Sequence, residues 1–124
     1  GGITGENMLV ALESRLDNVI FRMGFAPSRN AARQIVRHRH VEVSGEIVDV
    51  PSFQVSPGDE VAIRPRSKQM ASVQGSLEAR TRPPLVEWLA LDETNRIGRM
   101  TRSPTRQDIP LAVQEQLIVE LYSK

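Results

Sequence analysis

The sequence predicts an α+β fold in which two helices precede a small antiparallel sheet, extended by further strands and a terminal helix. Three observations carry this expectation. Apolar residues recur at three- and four-residue spacing from Met8 to Met23 and again from Ala31 to Val36. The period changes to two at Val41. Turn-forming stretches, Ser44-Gly45 and Ser56-Pro57-Gly58-Asp59, separate the alternating segments.

Thr4 is placed to cap a first helix whose buried stripe is Met8, Leu9, Leu12, Leu16, Val19, Ile20 and Met23, with Gly24 placed to end it. After Phe25-Ala26-Pro27, Ser28 is a good N-cap for the second helix, because its hydroxyl satisfies an otherwise orphan backbone N–H. Val41 and Val43 alternate with Glu42, and Ile47 to Val50 returns across Ser44-Gly45, so a hairpin follows. Phe53 and Val55 lead to the proline-glycine turn, and Val61 and Ile63 resume the sheet. Arg64-Pro65-Arg66-Ser67-Lys68 is a basic connector in which Ser67 is placed to cap a third helix carrying Met70, Val73 and Leu77 as far as Arg80. Pro83-Pro84 breaks the chain, and Trp88 to Leu91 and Arg96 to Thr101 read as two strands around Asp92-Glu93-Thr94-Asn95. After Pro110, Val113, Leu117 and Leu121 suit a helix, whereas Leu117, Val119 and Leu121 suit a strand; the helix is favoured. The organisation is therefore an opening part of the first helix in 1–14, the two-helix and hairpin motif in 15–66, a helix and strands completing the sheet in 67–112, and a helical C-terminal segment in 113–124.

A chain of 124 residues fits one domain with a modest core. Its net charge of +1 hides a local asymmetry: from Arg22 to Arg39 there are five arginines, one histidine and no acidic residue. A basic block on an otherwise balanced chain implies a polyanion-binding face, the bland alternative being a solvated helix side. With no cysteine, the chain offers no disulfide, thiol nucleophile or cysteine-ligated zinc, and a cytosolic address is permitted. No apolar run approaches a membrane span, and Gly1-Gly2-Ile3-Thr4-Gly5 lacks the features of a signal peptide; a start without methionine reads as processed or truncated. The P-loop, the dinucleotide fingerprint and the nucleophile elbow are all missing from the sequence, and its acidic residues are dispersed.

On a helical wheel at about 100° per residue, Ala31, Ala32, Ile35 and Val36 share an arc of about 140°. Arg29, Arg33 and Arg37 follow one another at four-residue spacing and form a ridge on the other side, accompanied by Asn30, Gln34 and His38. Like charges this close repel, and phosphate relieves the repulsion best, because the guanidinium fork binds it bidentately and stays charged. Ser28 and the helix start add backbone N–H groups for an anion. Arg15 and Arg22 before the ridge, and Arg39, His40, Arg64, Arg66 and Lys68 after it, could widen the basic surface. One tryptophan, one tyrosine and three phenylalanines leave few platforms for base stacking, which favours folded RNA over single strands. No metal is expected: His38 and His40 lack partners at ligand spacing, so contact with phosphate or with the helix end is their more natural use.

The run Arg15-Leu16-Asp17-Asn18-Val19-Ile20-Phe21-Arg22-Met23-Gly24-Phe25-Ala26, followed by Ala32-Arg33-Gln34-Ile35-Val36-Arg37-His38, closely resembles the S-four RNA-binding domain, the two-helix and sheet arrangement known as the alpha-L fold. The likeness continues through Val41-Glu42-Val43-Ser44-Gly45, Val50-Pro51-Ser52-Phe53 and Pro57-Gly58-Asp59-Glu60. Thr4-Gly5-Glu6-Asn7, Gln114-Glu115-Gln116-Leu117-Ile118-Val119-Glu120 and Tyr122-Ser123-Lys124 extend it to the bacterial or organellar S-four family of small-subunit ribosomal proteins. That resemblance implies a structural binder of a folded junction of small-subunit ribosomal RNA, active in subunit assembly and translational accuracy. It implies no enzyme, no cofactor and no small-molecule substrate. It also implies a neighbour, ribosomal protein S-five, at Gln114, Glu115, Gln116 and Tyr122, and a place on the ribosome in the cytoplasm, or in an organellar matrix or stroma. Against the family pattern, Arg39 stands where glycine is usual and Ser44 where asparagine is frequent, and the basic region that normally precedes Thr4, in some members a zinc site, is missing. Two other classes remain as alternatives: the RNA-targeting module of an RNA-modifying enzyme, for whose catalytic domain the remaining chain is too short, and a small stress-related RNA-binding protein.

Overall fold

The computed structural model describes residues 4–68, 70–79 and 82–108. Helices α1 (Thr4–Glu13), α2 (Leu16–Arg22) and α3 (Arg29–Arg37) come first, then strands β1 (Val41–Val43), β2 (Glu46–Ile47) and β3 (Glu60–Ile63). Helix α4 (Ala71–Glu78) and strands β4 (Leu89–Asp92) and β5 (Ile97–Met100) follow. The strands form one antiparallel five-stranded sheet in the order β2-β1-β3-β5-β4. This is the α+β architecture expected. The C-terminal segment 113–124 lies outside the described residues.

Period-two alternation decides which face of the sheet is covered. Val41, Val43, Val61 and Ile63 are buried, and Val41 and Val43 stand opposite Ile63 and Val61 in register, while Glu42 and Ala62 lie on the other face. Leu16, Val19 and Ile20 of α2 and Ala32, Ile35 and Val36 of α3 close the same core, joined by Phe25, Trp88 and Met100. Each fully buried aliphatic side chain contributes roughly 1.5–3 kcal/mol relative to exposure, so this shared core is what fixes α3 against the sheet.

The hairpin turn has positive φ at both Ser44 (50°) and Gly45 (89°), the combination whose twist matches the flanking strands. Strand β2 stops at Ile47, shorter than the expected Ile47 to Val50 return, since Pro51 and the turn after it redirect the chain. Gly58, at φ +90°, completes the second turn, where the Asp59 carboxylate accepts from the Ser56 N–H at 2.8 Å.

Two further expectations are corrected. The single first helix is two helices, interrupted at Ser14-Arg15, because tertiary pairing competes with the helix there. Arg15 is extended (ψ 143°) and bridges Gln54; the Leu16 N–H donates to the Phe53 carbonyl at 2.8 Å, and the Val55 N–H to the Ser14 carbonyl at 2.9 Å. Ser67 does not cap the third helix: Pro65–Ser67 forms a 3-10 turn, the Ser67 hydroxyl is bonded to His40, and α4 begins at Ala71.

Candidate nucleic-acid interface

Ser28 is extended and its hydroxyl accepts from the Ala31 N–H at 3.0 Å, starting α3 as the sequence suggests. On this helix Ala32, Ile35 and Val36 are buried, Ala31 and Arg33 are half-buried, and Asn30, Gln34 and Arg37 are exposed. Arg33 and Arg37, two guanidinium groups one turn apart, thus carry no ion pair among the described residues.

The end of α3 has a tight, fully bonded geometry. His38 is the cap; the Arg39 N–H donates to the Val36 carbonyl at 3.0 Å and the His40 N–H to the Ile35 carbonyl at 3.2 Å, with Arg39 left-handed at φ +67°. This double bond pattern is the Schellman motif, in which glycine is the usual residue at the left-handed position. Helix α2 ends in the same way, with Gly24 at φ +87°. The strained residue at the α3 end is therefore an arginine, and its side chain meets Asp49 at 3.2 Å, both exposed.

Strand β3 then delivers further cations to this corner. The Arg64 N–H donates to the His40 carbonyl at 2.9 Å, and its Nη1 to the Arg39 carbonyl at 3.3 Å. His40 Nδ1 and Ser67 Oγ share a 2.7 Å hydrogen bond, and the His38 and His40 rings meet edge to face at 6.4 Å. His38, Arg39 and Arg64 accordingly meet around His40 at one basic corner, and Arg37 and Arg66, close by in the chain, are exposed. Burial, then the charges of His38 and Arg64, hold the His40 imidazole below its ordinary value. Lys68 is turned elsewhere: after the Asn95 hydrogen bonds, its charge helps keep the Asp92 carboxyl below the usual range.

The arginines before the ridge are placed differently. Arg15 grips Asp17 through two hydrogen bonds of 3.1 and 3.0 Å, with 17% of its side chain exposed. Arg22 donates to Glu13 at 2.7 Å, the two side chains being 14% and 2% exposed. The sequence assigns both to the basic surface, and in the structure both are spent on carboxylates at the junction of α1 and α2. Arg29 is intermediate: its Nε donates to Asn18 Oδ1 at 2.8 Å and its guanidinium carbon lies 4.7 Å from the centre of the Phe21 ring.

Sequence reasoning missed Glu13, Asp17, Asn18 and Phe21 as parts of this arrangement. A signal existed, since Asp17 and Asn18 sit beside the apolar stripe of α2, where a polar side chain requires an internal partner. Among the described residues no group of three His, Asp or Glu side chains is placed to hold a metal ion. Gln114, Glu115, Gln116 and Tyr122 lie outside the described residues.

Residues 14–61 match the family model of the S4 domain. The chain is 52% identical over 123 residues to Small ribosomal subunit protein uS4 of Acidobacterium capsulatum, covering 99% of this chain and 59% of that protein. It is 51% identical to the protein of that name from Bacteroides thetaiotaomicron, covering 99% of this chain and 61% of the relative. For the one from Anaeromyxobacter sp. the identity is 52%, with 99% and 59% covered. The chain spans about three fifths of the length of these relatives.

Proposed function

We propose, from the match of residues 14–61 to the S4 domain and the likeness of the chain to small-subunit ribosomal proteins, that it binds a folded junction of small-subunit ribosomal RNA as a structural part of the small ribosomal subunit. The observation that carries this is the ridge on α3: Arg33 and Arg37 lack internal counter-charges among the described residues, while the opposite side of the same helix is locked into the core. A rigid helix holding unneutralised guanidinium groups at fixed spacing suits the phosphates of an RNA whose backbone is itself fixed by folding. The basic corner at His38, Arg39, Arg64 and Arg66 continues the same surface.

The role is binding rather than catalysis, in keeping with relatives that carry the names of ribosomal proteins. In this proposal the protein supports subunit assembly and translational accuracy on the ribosome in the cytoplasm, and ribosomal protein S-five meets Gln114, Glu115, Gln116 and Tyr122. No described helix is long and apolar enough to cross a membrane.

Salt-titrated binding to a small-subunit RNA junction tests this. The Arg33→Ala, Arg37→Ala double variant should flatten the log–log salt slope by nearly two units, roughly one for each phosphate no longer neutralised. An unchanged slope and affinity would remove α3 from the interface.

A further inference from the structure

Helix α3 carries two polar ridges side by side. Arg33 and Arg37 form one. Asn30 and Gln34, also four residues apart, form the other, each amide standing three positions before an arginine. Both amides are exposed, on the side of the helix opposite buried Ala32, Ile35 and Val36. Neither side chain has a hydrogen-bond partner among the described residues. The helix therefore presents two neutral groups, each able to donate and to accept, directly beside two cations.

We propose that Asn30 and Gln34 contact ribose 2′-hydroxyl groups of the RNA whose phosphates Arg33 and Arg37 hold, so that α3 selects RNA by its sugar. This rests on α3 being the RNA face. A guanidinium only donates and suits a phosphate oxygen, whereas a carboxamide donates and accepts, as a 2′-hydroxyl does. Along an RNA strand every nucleotide presents both groups, a phosphate and a 2′-hydroxyl. Asn30 with Arg33, and Gln34 with Arg37, repeat the matching pair of neutral amide and cation at a rise of about 6 Å along the helix. Other neutral targets fit less well. Helix α3 has no aromatic ring on which a base stacks. The base edges in the major groove of an RNA helix lie too deep for side chains, while the 2′-hydroxyls line its wide, shallow groove. Being uncharged, the amides add recognition without adding to the salt dependence.

Binding is measured on the small-subunit RNA junction and on the same junction carrying 2′-fluoro in place of 2′-hydroxyl, which keeps the A-form sugar pucker but cannot donate. The wild type should bind the fluorinated junction about tenfold more weakly. The Asn30→Ala, Gln34→Ala variant should bind the native junction about three- to tenfold more weakly, with its salt slope unchanged, and should distinguish the two RNAs by less than about twofold. The Arg33→Ala, Arg37→Ala variant should lose slope and keep the wild-type ratio between the RNAs. Because both amides are exposed and unbonded and alanine is the better helix former, the amide variant should unfold no earlier in urea than the wild type. A wild type that binds both RNAs equally, or an amide variant that separates them as the wild type does, would overturn the proposal. In either case a slope flattened by the arginine substitutions would leave the RNA face standing. If those substitutions change neither slope nor affinity, the RNA face itself fails.

Discussion

Replacing Arg39 separates backbone strain from charge, using the variants Arg39→Gly and Arg39→Ala. Both remove the exposed Arg39–Asp49 pair, whose side chains are 59% and 47% exposed and whose worth is below about 1 kcal/mol. Both also remove one cation from the basic corner. They differ only in the backbone. At φ +67° a Cβ crowds the following carbonyl at roughly 1–2 kcal/mol. Glycine avoids this but loses roughly 0.5–1 kcal/mol through the greater freedom of the unfolded chain. The glycine variant should therefore be the more stable of the two by about 0.5–1 kcal/mol. In a helix interior the order is opposite, with alanine ahead by about 1 kcal/mol. Urea unfolding with equal m-values measures the difference. An alanine variant at least as stable as the glycine variant would refute the left-handed conformation as a source of strain. Salt titration of RNA binding completes the test: both variants lack the same cation, so both slopes should fall by nearly one unit. A glycine variant with the wild-type slope would take Arg39 out of the interface.

Arg22→Ala leaves the Glu13 carboxylate buried without its partner and should destabilise the protein by about 3 kcal/mol while the RNA salt slope stays constant; a stable variant with a flattened slope would return Arg22 to the interface. His40 titrates below 6.5 in the folded chain, so the unfolded chain takes up the proton first, and the stability present above pH 6.5 should fall as the pH drops beneath it. Urea midpoints on either side of that pH should show a smaller decline in His40→Gln than in the wild type, and identical declines would count against a depressed imidazole. Gly98→Ala places a Cβ against the thioether end of buried Met23 and 3.2 Å from the Ala90 carbonyl oxygen. It should destabilise by about 1–3 kcal/mol, and unfolding at the wild-type midpoint would show that Met23 yields freely.

Features set by a few neighbouring residues were legible in the sequence. The Ser28 cap, the Ser44-Gly45 turn and the apolar arc of α3 depend on contacts within a few positions, and the structure has them where the pattern puts them. The break at Ser14-Arg15 was not legible, because the apolar spacing from Leu12 to Leu16 and Val19 runs across it unchanged. Its cause is a bridge to Gln54, distant in sequence. The same holds for Ser67, whose cap-forming hydroxyl is claimed by His40, and for Arg15 and Arg22, whose sequence context does not reveal that Asp17 and Glu13 turn toward them. Charge counting pointed to a basic face, but only tertiary packing distinguishes the arginines held by carboxylates, Arg15 and Arg22, from Arg33 and Arg37, which have no ion-pair partner among the described residues.

The position of β3 in the sheet also orders events during synthesis. β3 pairs with β1 on one side, but its other neighbour, β5, is made only after α4 and the proline connector. At about 5–20 residues per second, a nascent chain carries Glu60–Ile63 as an unsealed edge for a few seconds, and such an edge invites foreign pairing. By that time α3, the left-handed turn at Arg39 and the Arg64 bonds to it have all been translated. The basic corner is thus complete in sequence before the hairpin that protects the sheet, so a polyanion that bound it early would hold the first half in register while the second half arrives.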